Sequence, residues 1–177
     1  MSEGPAQFRA ALSRFASGVT VVTVRDADGV DHGMTVSAFS SLSLDPPLVL
    51  ACIDITATIL PHLREAETFG ISILAAGQRE LSRRFADQTV DRFEGVAFSR
   101  AASGPALIDG AAAHLECRRV ALHPGGDHVI AMGEVLHATA FMEEPLVYFH
   151  RDYGRFERQP GHGGHGGRDG GRRTGEF

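Results

Sequence analysis

The sequence has little of three features that would each define a class of protein: cysteine, an excess of positive charge, and long apolar runs. Its two cysteines, Cys52 and Cys117, lie in apolar stretches without paired histidines, so we expect reduced, buried thiols and no metal site. The net charge of -5 argues against nucleic acid, which is bound largely through clustered basic residues. No apolar run reaches the ~20 residues of a membrane span, and the first residues lack a signal-peptide pattern. We therefore expect a cytoplasmic protein that binds neither nucleic acid nor membrane.

Composition divides the chain into two parts. With 43% hydrophobic and 22% charged residues in a total of 177, the chain has the size and balance of one soluble domain. Residues 1–157 show regular apolar patterning and form this domain. Residues 158–177 are rich in glycine, histidine and arginine and cannot bury enough surface to offset chain entropy, so they are predicted to be a disordered tail.

The tail contains a literal G-x-G-x-x-G pattern at Gly161, Gly163 and Gly166. This pattern binds dinucleotides only between a strand and a helix, and neither is predicted here. His162 and His165 are interpreted as exposed spacer residues rather than metal ligands.

Apolar spacing predicts many short strands and a few short helices. A first helix with Phe8, Ala11, Leu12 and Phe15 on one face is predicted to end at Ser17–Gly18. A second, with Thr56 or Thr58 as its cap, carries Ile59, Leu60, Leu63 and Ala66. A third spans residues 78–85. Strands are predicted at residues 19–24, 33–37, 48–53, 69–74, 111–120, 128–138 and 146–148. Because strands and helices do not alternate regularly, the pattern favours a mainly β, α+β barrel or sandwich.

Two stretches are candidates for ligand binding. Residues 33–47 carry a row of hydroxyls, including Thr35 and Ser37, that could line a site for a carbonyl-rich or phosphorylated ligand. A polar edge strand with internally satisfied hydroxyls explains the same residues equally well. His128, in a Gly-Asp-His turn, could contact a ligand, although a histidine after a turn is more often a surface residue. The same applies to His150, Arg151 and Tyr153. No catalytic triad or pair of carboxylates stands out.

Four blocks of the sequence, in the same order, resemble the flavin reductase family, the small reductase components of two-component flavin-dependent monooxygenases. They are FRAALSRFASGVTVVTV, HGMTVSAFSSLSLDPPLVLACID, FGISILAAGQRELSRRFA, and GGDHVIAMGEV followed by PLVYFHRDYGRF. The second block is the most specific. Together they extend from about Phe8 to Phe156.

The resemblance implies an FMN-binding split β-barrel that forms a homodimer. It implies FMN or FAD as the flavin, NADH or NADPH as the hydride donor, and a monooxygenase that receives the reduced flavin. Hydride transfer between cofactors needs no protein nucleophile, which agrees with the lack of a triad. By position, the resemblance assigns the isoalloxazine lining to Thr35, Val36, Ser37 and Ala38, and the ribityl chain and phosphate to Ser41, Thr56 and Thr58. It assigns Arg84 to the phosphate or the ring. It assigns the nicotinamide to Phe85, Asp127 and His128, and closure of the pocket to Tyr153.

The sequence departs from the family pattern at Ile55. Many members have Lys or Arg there, before the Ser/Thr pair, and a cation favours a phosphate by charge-assisted hydrogen bonds. Ile55 therefore predicts weak retention of FMN unless Arg84 or another arginine compensates. Two alternatives remain open: a flavoprotein with tightly bound FMN that acts as an oxidase or electron carrier, and a non-catalytic module that binds flavin or haem.

Overall fold

A computed structural model describes residues 4–157 of the chain. The predicted tail and its glycine pattern lie outside these residues. The helices are α1 (Pro5–Leu12), α2 (Leu60–Glu65) and α3 (Arg79–Ala86). The strands are β1 (Ser17–Gly18), β2 (Thr20–Arg25), β3 (Asp31–Val36), β4 (Phe39–Leu44), β5 (Pro47–Asp54), β6 (Thr68–Ile73), β7 (Phe98–Arg100), β8 (Ala106–Ile108), β9 (Ala113–Gly125), β10 (His128–Ala140), β11 (Leu146–Phe149) and β12 (Asp152–Arg155). The prediction of a mainly β fold with few short helices is confirmed.

The main sheet has seven antiparallel strands in the order β3-β2-β6-β9-β10-β5-β4. Strands β3 and β4 form its two edges, yet only Ser37 and Ala38 separate them in the chain. Such a short connection requires the two edges to lie close together, so the sheet must curl into a barrel. The Cys52 N–H donates to the Ala38 carbonyl at 2.9 Å and ties this connection to β5.

Two groups of buried side chains fill the interior. The larger lies within the curled sheet and includes Phe69, Ile53 and Leu63, each at most 1% exposed. The smaller packs α3 against β2 and the three-stranded sheet β1-β11-β12, and includes Phe85 and Leu146. Apolar residues that the sequence places on strands with period 2 therefore fill one face of the sheet.

Two local predictions are wrong. Helix α1 ends at Leu12, and Ser17–Gly18 pairs with β11 as strand β1. Helix α2 has Ile59 at its N-cap and no side-chain cap, because the Thr56 hydroxyl binds Asp54 instead. The hydroxyl-rich stretch includes the edge strand β4, in agreement with its interpretation as a polar edge strand.

The face of α1 is apolar as predicted, but no residue of this helix is buried. In the part of the chain from residue 4 to 157, no helix is long and apolar enough to cross a bilayer.

Candidate functional site

A cavity of about 540 Å³ opens between α1, the first residues of β4, the middle of β5 and the turn from β11 to β12. Its wall is mostly carbon, and its volume is typical of sites for small organic molecules. Cationic side chains reach its rim from two directions: Arg9 from α1, and Arg151 from the turn. The apolar residues that line the cavity include Leu12, Phe15, Phe149, Leu50, Cys52 and Ala38, and the polar ones include Ser37 and Ser40.

The predicted ring-binding segment lies along this cavity. Val36 is 4% exposed, so its side chain belongs to the core and only its backbone could face a ligand. Ser37 and Ala38 are exposed and line the cavity. Within residues 4–157 the Ser37 hydroxyl has no hydrogen-bond partner, so it is available to donate to a ligand. Thr35, by contrast, donates its hydroxyl to the Ser82 carbonyl at 2.6 Å.

A second cavity of about 210 Å³ adjoins the first and shares Ser37 and Tyr148 with it. Tyr153 lines this second cavity. Its hydroxyl lies 2.9 Å from the Ser82 hydroxyl, and its ring packs against Tyr148 with centroids 5.4 Å apart. The guanidinium of Arg79 lies over the ring, 5.3 Å from its centroid. These contacts hold the Tyr153 ring in one orientation.

The rim of the large cavity contains strained backbone. His150 and Arg151, the two central residues of the β11–β12 hairpin, have φ of 51° and 65°. Such values favour asparagine or glycine, and non-glycine residues that adopt them cost of order 1–3 kcal/mol. The His150 N–H donates to the Ser13 carbonyl at 2.9 Å, which attaches the turn to the segment after α1. Strain of this kind is often concentrated at ligand sites.

A third, polar cavity of about 190 Å³ lies between Thr58, Gly33 and the segment after α3. Arg92 crosses it: Nη1 donates to the Gly33 carbonyl at 2.6 Å and to the Thr58 hydroxyl at 3.3 Å. Burial lowers the pKa of Arg92 while the Asp87 carboxylate opposes that shift, and the guanidinium stays charged. A fixed guanidinium beside a threonine hydroxyl is suited to a phosphate.

The loop after β5 is organised around Asp54. Its Oδ1 accepts from both the N–H and the hydroxyl of Thr56, each at 2.7 Å. These bonds hold the pKa of the Asp54 carboxyl below its ordinary value, and the nearby His128 contributes in the same direction. Thr56 is therefore fixed at the start of the loop that leads to Thr58. Ile55, whose side chain is 54% exposed, donates its N–H to the Asp127 carbonyl at 3.1 Å.

The Gly-Asp-His turn lies beside this loop. His128 begins β10 and pairs with Asp54, while Ile130 pairs with Cys52 in the wall of the large cavity. Two residues of strand separate the two pairs, about 7 Å along the sheet. His128 Nδ1 lies 2.7 Å from Asp127 Oδ1, and its side chain is 40% exposed. The turn thus lies near the cavity but lines none of the three cavities described here.

Phe85 does not lie where the resemblance assigns it. Its ring is 0% exposed and packs edge-on against Phe93, with centroids 5.1 Å apart. A Cβ on Gly33 would lie 2.7 Å from this ring, so the space around it is filled. A side chain without accessible surface cannot contact a nicotinamide, and we assign Phe85 to the core.

Two further residues lie apart from the cavities. Arg84 Nη1 donates to the carbonyls of Asp91 and Glu94, at 3.2 and 2.8 Å, and so fixes the loop after α3 rather than pointing toward Thr56. Ser41 is exposed on β4 opposite Val49 and lines none of the three cavities.

Sequence reasoning missed two contributors to the site. Arg92 lies 34 residues from Thr58 in the chain, and no local pattern links them. The face of α1 did give a signal, since its apolar residues recur at helical spacing, but nothing in that spacing shows that the face lines a cavity.

Cys117 lies on β9, which lines none of the three cavities, and its thiol is not expected to react. It is 0% exposed, and burial raises the pKa of its thiol to about 12. Cys52 is partly accessible and lines the large cavity. The prediction of reduced thiols agrees with this arrangement, although only Cys117 is fully buried.

Comparison with known proteins identifies the family. A model of the flavin reductase like domain matches residues 12–157. Actinorhodin polyketide dimerase from Streptomyces coelicolor is 38% identical, with 86% of this chain and 87% of that protein aligned. The reductase component of 4-hydroxyphenylacetate 3-monooxygenase from Thermus thermophilus is 45% identical, with 84% and 94% aligned.

A solved structure agrees. The NADH:FAD oxidoreductase of Streptomyces globisporus, in complex with NAD and FAD fragments, superposes with a TM-score of 0.84 at 41% identity. The match covers 88% of this chain and 94% of that chain. The protein therefore belongs to the flavin reductase-like family, and the split-barrel fold expected from the sequence is confirmed.

Proposed function

We propose that this protein is an NADH-dependent flavin reductase that binds FMN or FAD transiently and releases it reduced. The observation that carries the proposal is the wall formed by Ser37 and Ala38: both residues line the cavity of about 540 Å³, and Ser37 also lines the adjoining cavity of about 210 Å³. When both cofactors are bound, the flavin accepts a hydride from the nicotinamide. The chain has to position two flat rings with reacting atoms about 3–3.5 Å apart and to keep water out.

The residues of the large cavity fit an isoalloxazine ring. Its walls are mostly carbon, as a flat aromatic ring requires, and the small side chains of Ser37 and Ala38 allow close approach of the backbone. The unpartnered Ser37 hydroxyl can donate to a ring carbonyl, where negative charge increases on reduction. Thr35 and Val36 support this wall from behind: one is hydrogen-bonded to α3 and the other is buried.

For the flavin phosphate, the arrangement supports Thr56, Thr58 and Arg92. All 17 basic residues of the chain are arginines, so no lysine can take the place that Ile55 leaves without charge. Arg92 already contacts the Thr58 hydroxyl at 3.3 Å, whereas Arg84 is occupied by two carbonyls. Of the arginines that could compensate, we therefore assign this role to Arg92 rather than to Arg84.

For the nicotinamide, the position of Asp127 and His128 beside the loop of Asp54 and Thr56 supports a positioning role. His128 is exposed enough to meet a ligand, and Asp127 orients its ring through Nδ1. Tyr153, held by Ser82 and Arg79, is placed to close the second cavity.

We further propose that the protein acts as a homodimer and supplies reduced flavin to a monooxygenase. The exposed apolar residues of α1 beside the large cavity support a second copy that completes its open side. Relatives named as monooxygenase reductase components support the supply of reduced flavin to a monooxygenase. Within oxidoreductase activity in general, we propose transfer of a hydride from NADH to a flavin as the specific reaction.

The decisive experiment mixes the full-length protein anaerobically with NADH and excess FMN, FAD or riboflavin, and follows flavin bleaching. A reductase bleaches free flavin in many-fold excess over protein and consumes NADH in proportion. A flavoprotein with a fixed cofactor would bleach only one equivalent. Loss of bleaching with all three flavins would overturn the proposal and favour a binding module or an activity such as the one named for the polyketide dimerase.

A further inference from the structure

Three side chains of metal-ligand type converge where the β2–β3 turn packs against α2. His32 Nε2 lies 2.7 Å from Asp26 Oδ2, and His62 Nδ1 lies 3.6 Å from the same oxygen. The two imidazole rings are stacked, with centroids 3.5 Å apart and planes inclined by 11°. The three ligand atoms all lie within 4.8 Å of one another.

The carboxylate of Asp26 is held in place by its own turn. Its Oδ1 accepts from the N–H groups of Asp28 and Val30, at 3.1 and 2.8 Å. The Asp26 N–H in turn donates to the Val30 carbonyl at 3.0 Å. One oxygen is thus engaged by the backbone, and the other is directed at both imidazoles. Fixed outer contacts of this kind orient the ligands of protein metal sites.

A hydrogen bond to Asp26 explains the position of His32 but not that of His62. At 3.6 Å the contact from His62 is too long for a hydrogen bond, so one imidazole nitrogen faces the carboxylate without being bonded to it. A tetrahedral ion with ligand bonds of about 2.0–2.1 Å needs neighbouring ligand atoms about 3.3 Å apart. The two observed separations lie on either side of that value. Because an imidazole nitrogen coordinates in the plane of its ring, the stacked rings would have to rotate out of their parallel arrangement to share one ion.

We propose that Asp26, His32 and His62 form a binding site for a divalent transition-metal ion of the zinc type. Imidazole nitrogens select such ions over magnesium and calcium, which prefer all-oxygen ligands. Side-chain exposures of 16–32% leave room for the ion to enter and for water to complete its coordination.

The role of the ion would be structural. Asp26 follows β2, His32 is the second residue of β3 and His62 lies on α2, so one ion would join the β2–β3 hairpin to a helix that is distant in the chain. The ligands lie outside the two adjoining cavities of Ser37. His32 also lines the third cavity, which contains Arg92 and Thr58, so the ion would lie next to the proposed phosphate site. A metal that binds the folded chain raises its apparent stability by mass action.

The test measures binding of Zn²⁺ alone to the apo protein by competition with a chromophoric chelator. Full-length chain is used, with His162→Ala and His165→Ala as background, because histidines of a glycine-rich tail can themselves bind metal. Co²⁺ serves as a spectroscopic probe, since its visible absorption reports coordination by nitrogen. The expected result is one equivalent of tightly bound metal and a rise in Tm on addition of Zn²⁺.

Removal of a ligand should weaken binding by more than about tenfold, since even outer partners of a metal site change affinity about 10–100-fold. The variants are His32→Ala, His62→Gln and Asp26→Asn; the last keeps an acceptor for the turn and so preserves the fold. His123→Ala, an exposed histidine on β9, is the matched control and should bind as the background does. Circular dichroism identifies any variant that fails to fold.

Two results would overturn the proposal. One is absence of stoichiometric Zn²⁺ binding by the background protein. The other is binding and Tm shifts that are the same in folded His62→Gln and Asp26→Asn as in the background, which would place the metal elsewhere.

Discussion

At the scale of single residues, the arrangement of Arg92 has the sharpest consequence. Its guanidinium is fixed by the Gly33 and Asp87 carbonyls and reaches the Thr58 hydroxyl. An anion bound there would gain charge-assisted hydrogen bonds without cost for ordering the side chain. In the proposed phosphate site, Arg92 would supply from a distant part of the chain the charge that Ile55 lacks.

Arg92→Ala is expected to weaken FMN binding by at least about tenfold, because hydrogen bonds to charged groups contribute about 1.5–3 kcal/mol. Riboflavin lacks the phosphate, so its affinity should change much less. The ratio of the two dissociation constants, measured by quenching of flavin fluorescence, separates loss of a phosphate contact from general damage. Arg118→Ala, on an exposed arginine paired with Glu134, is the control. An equal loss for both flavins would argue against the phosphate role.

His128→Ala should raise the KM for NADH about tenfold, equivalent to about 1.4 kcal/mol, with a smaller change in kcat. The reason is that a positioning residue contributes binding energy that the ground state and the transition state share. Steady-state kinetics with saturating FMN provide the measurement, with His123→Ala for comparison. If kcat fell as much as kcat/KM, His128 would have to act in the chemical step.

At the scale of elements, close packing of strand β10 against the core explains a glycine, Gly133, that no turn requires. Gly133 lies in β10 at an irregularity of its pairing with β9. A Cβ at this position would meet the ring of Phe69, which is 1% exposed, and the side chain of Cys117. The strand therefore approaches the core as closely as backbone alone permits.

Gly133→Ala should lower the free energy of unfolding by about 1–3 kcal/mol, the usual cost of overpacking a filled core. Gly77→Ala is a matched control, since a Cβ there meets nothing within 4 Å. Urea denaturation of both variants measures the difference. Comparable stability of the two would show that β10 can move away from Phe69.

At the scale of the whole molecule, the described chain leaves an apolar surface beside its largest cavity. Phe8, Leu12 and Phe15 are 61%, 55% and 78% exposed, all on or just after α1. Exposed apolar patches of this kind mark interaction surfaces. Because α1 also forms one wall of the cavity, association and ligand binding are coupled in the proposed homodimer.

Phe8→Glu is expected to shift the protein from dimer to monomer, because a carboxylate would have to be buried without a partner. Light scattering coupled to size-exclusion chromatography gives the mass. The affinity for flavin should fall when the dimer dissociates. Phe156→Glu, at an equally exposed position near the far end of the domain, controls for added charge. A variant that stays dimeric would exclude α1 as the interface.

Much of the fold follows from the sequence, because strand periodicity and turn residues act locally. Seven of the strands were predicted within a few positions: β2, β3, β5, β6, β9, β10 and β11. The short strands β1, β7, β8 and β12 were not, since two to four residues carry too little pattern. Strand β4 was given only as one of two interpretations of the hydroxyl-rich stretch. The Thr35–Ala38 wall was found from its hydroxyls and its resemblance, and Phe85 was misplaced because motif position does not reveal which way a helical side chain points.

By itself the sequence determined the mainly β class, the family and the segment that lines the cavity, because these depend on local pattern and on residue identity in order. Only the tertiary structure decided that Phe85 belongs to the core and that Arg92 rather than Arg84 contacts Thr58. It also decided that His32 and His62 both lie next to one carboxylate oxygen of Asp26. Each of these depends on contacts between residues far apart in the chain, which the curling of the sheet brings together and which no local spacing encodes.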